Sequence, residues 1–127
     1  MRMNFPVTRI MPAAYGDRKK LTPAIHHHYK KALPDADARR GAYAFAQELM
    51  RASSWWQKQW DALDALNDKK LLIFWGMKDT FIPVTALEKW RSKLPHAKFI
   101  TFADAGHFVQ EEKPSEMTAV IRDFLTQ

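Results

Sequence analysis

The chain has 127 residues, 46% hydrophobic and 27% charged, a balance that suits one globular domain with a modest core and excludes a disordered chain. Its longest aliphatic and aromatic run, residues 71–75, is far shorter than the roughly twenty apolar residues that span a bilayer, so no membrane segment is expected. A net charge of +6 raises nucleic acid as a partner, but the doublets Lys19-Lys20, Lys30-Lys31, Arg39-Arg40 and Lys69-Lys70 are scattered rather than gathered on one helix with aromatics between, and nucleic-acid binding is not expected.

Residues 1–7 place Arg2, Asn4 and Pro6 where a secretory leader needs a continuous apolar stretch, and cysteine is absent throughout. The expectation is a cytoplasmic location without disulfides or thiolate metal sites. An irregular apolar segment follows, in which Phe5, Ile10, Met11 and Tyr15 are interrupted by Pro6, Pro12 and Gly16. Thr22-Pro23 then reads as a helix cap followed by proline at the first helical position, and Ile25, Tyr29, Ala32 and Leu33 recur at helical spacing as far as Pro34.

Asp37 is placed to cap a second helix whose apolar face is Tyr43, Phe45, Ala46, Leu49 and Met50. Ser53-Ser54 signals a third, with Trp56, Trp60 and Leu63 at i, i+4 and i+7. That spacing reads Trp55, Trp56 and Trp60 as packing residues rather than a stacking platform for bases or sugars. His26-His27-His28 is expected to be a solvated helix face and not a metal site, because adjacent helical side chains point about 100° apart and cannot converge on one ion.

The pattern changes at the charged turn Asn67-Asp68-Lys69-Lys70. Residues 71–75 are continuously apolar, as expected of a parallel strand covered on both faces. Thr85 and Glu88 make a capping-box pattern, and Leu87, Trp90 and Leu94 mark one face of a helix ending at Pro95. Residues 99–102 form a second strand, and strand, helix and strand at this spacing make a right-handed βαβ unit. Pro114 opens a last helix with Met117, Val120, Ile121, Phe124 and Leu125 on one face. Glu112 is expected to favour the N-terminus of that helix by its charge. The predicted fold class is therefore α/β: a helical segment over residues 1–66, then a βαβα unit with parallel strands over 67–127.

Parallel strands of one βαβ unit end at the same sheet edge, where such sheets bind and react. Asp79 and His107 lie a few residues beyond the two strand ends, within reach of each other, so the carboxylate can accept the imidazole Nδ1 proton and leave Nε2 free as a base. Gly76 and Gly106 are expected to let the backbone turn tightly before each side chain. The plainer alternative makes Asp79 a turn aspartate and His107 a loop histidine.

Gly76-Met77-Lys78-Asp79 with Ile82-Pro83, followed by Ala105-Gly106-His107-Phe108-Val109-Gln110-Glu111-Glu112 and Pro114, resembles the acid and histidine motifs of the α/β-hydrolase superfamily, in particular of haloalkane dehalogenases and their relatives. Gly16-Asp17-Arg18-Lys19-Lys20-Leu21-Thr22-Pro23 and Arg39-Arg40-Gly41 are similar to the cap region of that branch. The resemblance covers most of this chain but only the later part of a family member. It implies that Asp79 is the acid, that His107 is the base, that Phe108 lines a substrate pocket, and that the helices from Thr22 to Leu66 form a cap, within a cap-like segment of residues 1–66. It also implies hydrolysis of a carbon–halogen or ester-type bond through a covalent intermediate, with no metal or organic cofactor.

The chain departs from the family in its nucleophile. Ser53, Ser54, Ser92 and Ser115 lack the flanking glycines of a nucleophile elbow, and no aspartate followed by tryptophan stands in their place. The expectation is a hydrolase portion inactive by itself, which takes a small-molecule substrate only when the nucleophile half is supplied. The other reading is a non-catalytic module that self-associates, since two parallel strands cannot cover their own edges.

Overall fold

A computed structural model describes residues 4–126; Arg2, on which the reading of the N-terminus partly turns, lies outside them. The first described residues coil into a π-helical turn, Pro6–Ile10, which runs directly into a short helix α1 (Met11–Ala14). This irregular segment carries much of the core. Val7, Met11 and Tyr15 are buried together, and Leu21, Tyr29, Leu33 and Phe108 pack around them.

Helix α2 (Pro23–Ala32) begins as its sequence predicts, with the Thr22 side chain accepting from the Ile25 N–H. It packs on the Pro6–Ile10 turn. His26 Nε2 lies 2.8 Å from Val7 O, whereas His27 and His28 are exposed, so the solvated face is made by two of the three histidines.

Helix α3 (Ala38–Arg51) is capped by Asp35 rather than Asp37. Asp35 Oδ1 accepts from the N–H groups of Asp37 and Ala38, and Asp37 pairs instead with Arg40. The apolar side chains Tyr43, Phe45, Leu49 and Met50 are all exposed in this chain. Helix α4 (Ser53–Asp61) has no side-chain cap, and Ser53 is already inside it. A 3₁₀ segment, Ala62–Leu66, continues from α4 toward the sheet.

Strands β1 (Leu72–Gly76) and β2 (Lys98–Phe102) pair in parallel, with Leu72 opposite Lys98 and Gly76 opposite Phe102. Helix α5 (Val84–Lys93) forms the crossover between them. The expected capping box is absent: Pro83 occupies the N-cap position, and Glu88 turns forward to Arg91 at 3.0 Å. Leu87 and Leu94 are buried, and Trp60 meets Trp90 edge-on with ring centroids 4.9 Å apart. Lys93 holds Asp64 at 2.9 Å, a second tie between α5 and the 3₁₀ segment.

Residues 71–75 are half-buried rather than fully covered. The cause is topological: the described residues form a two-stranded sheet, and each strand keeps an unpaired edge. A short helix α6 (Val109–Glu112) follows the histidine loop and leads at Pro114 into α7 (Pro114–Leu125). Both pack against β1. Met117, Val120 and Phe124 of the predicted α7 face are half-buried, whereas Ile121 and Leu125 remain exposed. Among the described residues no helix is long and apolar enough to cross a membrane.

Candidate active site

The loops after β1 and β2 are sewn together by their backbones. Met77 N–H donates to Phe102 O and Lys78 N–H to Ala105 O, each at 2.9 Å, which extends the strand pairing beyond the sheet. The backbone does turn tightly after Gly76, with Asp79 N–H donating to Gly76 O at 3.1 Å, but no described glycine has a positive φ. Gly76 and Gly106 are needed for close approach instead. A Cβ on Gly76 would fall within the carbonyl oxygen of Gly106 and lie 2.6 Å from that of Ala105. A Cβ on Gly106 would overlap Ala14 O and Gly16 N.

This contact places Asp79 and His107 together, with Asp79 Oδ2 2.8 Å from His107 Nδ1. Asp79 divides its carboxylate between two tasks. Oδ1 accepts from the N–H groups of Phe81 at 2.8 Å and Ile82 at 3.0 Å, closing a turn, while Oδ2 faces the imidazole. The turn aspartate and the histidine partner are thus one residue. The Asp79 side chain is 10% exposed and that of His107 36%, so the acid is enclosed while the imidazole reaches solvent. His107 N–H donates to Ala14 O at 2.8 Å, and Nε2 has no hydrogen-bond partner among the described residues.

Aromatic rings brace the imidazole. Phe81 and Phe108 each meet it edge-on with centroids 5.5 Å away, and Phe108 rests on Tyr15 at 5.4 Å. Phe108 therefore links the core to the histidine and is half-buried. A groove of about 1100 Å³ lies elsewhere, between α4 and α5, lined by Trp56, Trp60, Leu63 and Trp90 among others; it includes none of Asp79, His107 and Phe108.

Three participants were not legible beforehand. Ala14 belongs to a segment with no periodic pattern, and Phe81 resembles any apolar loop residue. Glu112, read from sequence only as a charge preceding the last helix, lies 2% exposed and accepts from three backbone N–H groups. Its neighbour Glu111 accepts from the Tyr29 hydroxyl. Among the described residues no three His, Cys, Asp or Glu side chains converge as a metal site.

The Tyr29–Glu111 bond gives a pH signature. Hydrogen bonding to Glu111, followed by burial, raises the Tyr29 hydroxyl from 10.0 to about 12. Burial, then the charge on Glu111, raises Tyr15 as well. A group whose folded pKa exceeds its unfolded one contributes fully below the unfolded value and loses that contribution as pH rises toward the folded value. Denaturant midpoints are expected to fall between pH 10 and about 12, and Tyr29→Phe should make that fall shallower. Equal alkaline slopes in the two proteins would contradict the assignment.

The α/β hydrolase fold family profile matches residues 10–114. The chain belongs to the α/β hydrolase fold family. The chain is 32% identical over 123 residues to haloalkane dehalogenase 2 of Mycobacterium tuberculosis, covering 95% of the chain and 42% of that protein. It is 28% identical over 115 residues to cis-3-alkyl-4-alkyloxetan-2-one decarboxylase of Xanthomonas campestris, covering 87% of the chain and 38% of that relative. The hydrolase-fold chain thus spans about two fifths of the length of the curated relatives it matches. Its two-stranded parallel sheet with crossing helices is a partial version of the family fold.

Proposed function

We propose that this chain provides the acid–base half of an α/β-hydrolase active site, with Asp79 as the acid, His107 as the base and Phe108 beside the substrate. The observation that carries the reading is the 2.8 Å contact between Asp79 Oδ2 and His107 Nδ1 at the carboxyl edge of two parallel strands. Asp79 fixes the tautomer and balances the imidazolium, and Nε2 takes a proton from the attacking water or hydroxyl. The reaction is hydrolysis of a carbon–halogen or ester bond through a covalent intermediate. The nucleophile comes from a segment outside this sequence, and the chain is inactive without it. Residues 1–66 act as the cap, although residues 4–17 also buttress the histidine loop. The reaction needs no metal or organic cofactor, and the protein works in the cytoplasm.

The test combines the purified chain with a separately expressed nucleophile-bearing half of a haloalkane dehalogenase relative. Halide release and chromogenic ester hydrolysis are expected from the mixture and from neither part alone. Turnover by the isolated chain that disappears with His107→Ala would overturn the proposed inactivity.

Exposed apolar side chains favour a second reading, a non-catalytic module that self-associates. Phe45 is 66% exposed and Met50 82%, and both sheet edges are open. Sedimentation at micromolar concentration is then expected to show a dimer or larger species. A folded monomer would remove this reading.

A further inference from the structure

We infer that Glu112 is a positioning residue: its buried carboxylate pins the histidine loop to the N-terminal segment and so sets the place of His107 against Asp79. The inference rests on the proposed role of that pair. Glu112 Oε1 accepts from Gly106 N–H at 2.7 Å and Gly16 N–H at 3.0 Å, and Oε2 accepts from Asp17 N–H at 2.8 Å. Three donors on two chain segments, separated by some ninety residues of sequence, thus meet on one side chain that is 2% exposed.

A buried carboxylate needs such donors, because removal from water without them is costly. Bonds to an ionised acceptor are also stronger and more directional than neutral ones. Gly106 immediately precedes His107, whose own N–H donates to Ala14 O two residues before Gly16. The clamp and this bond therefore hold the two consecutive backbone N–H groups that lead into the imidazole. Neither Gly16 nor Gly106 has room for a Cβ, so the carboxylate closes a contact that is already tight. Lys20 Nζ donates to Glu112 O, and Tyr29 donates to the adjacent Glu111, which ties the start of the helical segment to the same short helix.

Glu112→Gln tests the clamp in the unaltered chain background, because an amide cannot accept on both of its ends. Proton NMR of the full chain reads the downfield His107 Nδ1–H resonance, and hydrogen exchange reads the Gly16, Asp17 and Gly106 amides. The variant is expected to lose or strongly broaden that resonance below its melting temperature and to exchange all three amides at least tenfold faster. A merely structural glutamate would lower the melting temperature and leave the resonance in place below it, and that result overturns the inference. Should the variant fail to fold, exchange in the unmutated chain decides: slow exchange at all three amides supports the clamp, and free exchange at any of them refutes it. These readouts need no turnover. Failure of His107-dependent hydrolysis in the complemented enzyme would instead refute the proposed chemistry and leave the clamp geometry standing.

Discussion

His107→Ala in the complemented enzyme is expected to lower steady-state turnover by on the order of 10⁴-fold, the scale on which removal of a hydrolytic base acts. The way turnover fails should identify the missing nucleophile. A carboxylate nucleophile is already ionised at neutral pH and needs no base to attack, so its variant would release one equivalent of halide and then stop at the covalent ester. A serine nucleophile needs the imidazole for the first step, and its variant would release nothing. An unchanged steady-state rate would refute the role of His107. The physical basis is the enclosed Asp79 beside an imidazole whose Nε2 has no partner among the described residues.

Gly76→Ala is the second substitution with a large expected effect. The added methyl would overlap the Gly106 carbonyl and crowd Ala105, all of it backbone that cannot rotate away. Overpacking of this kind costs about 1–3 kcal/mol. Moving the two loops apart would also separate the acid from the imidazole, and a misplacement near 1 Å costs roughly 100-fold in rate. Denaturant unfolding and the complemented assay should show both losses together. Gly41→Ala is the control: it lies in α3 with nothing within 4 Å of the new methyl, and should stabilise the helix by about 0.5–1 kcal/mol. Wild-type stability and rate in Gly76→Ala would show that the close contact of the two loops is not required.

The parts of the fold that were legible in sequence depend on neighbours along the chain. Thr22-Pro23 starts α2, the continuous run of residues 71–75 falls on β1 one residue early, and Pro114 opens α7. Capping was less legible because it depends on the residue at which the helix starts, which nearby polar side chains do not fix. Asp35 rather than Asp37 won at α3, and Pro83 displaced the Thr85–Glu88 box at α5. Burial was misread at residues 71–75 because an apolar run reports what a strand requires on its faces, not how many neighbours this chain supplies. The juxtaposition of Asp79 and His107 was readable from strand order alone. The support from Ala14 and Glu112 was not, since it joins residues far apart through backbone groups that every residue type carries.

The shared duty of Asp79 has a consequence for interpreting descendants of this fold. One oxygen folds the chain and the other serves the imidazole, so loss of turnover would not relax the demand for an acceptor at position 79. An aspartate surviving there in an inert protein would be explained by architecture alone. Among the described residues the imidazole ring makes one hydrogen bond, to that carboxylate, and edge-on contacts with Phe81 and Phe108, but it closes no turn. Replacement at position 107 is therefore the sharper marker that chemistry has been abandoned.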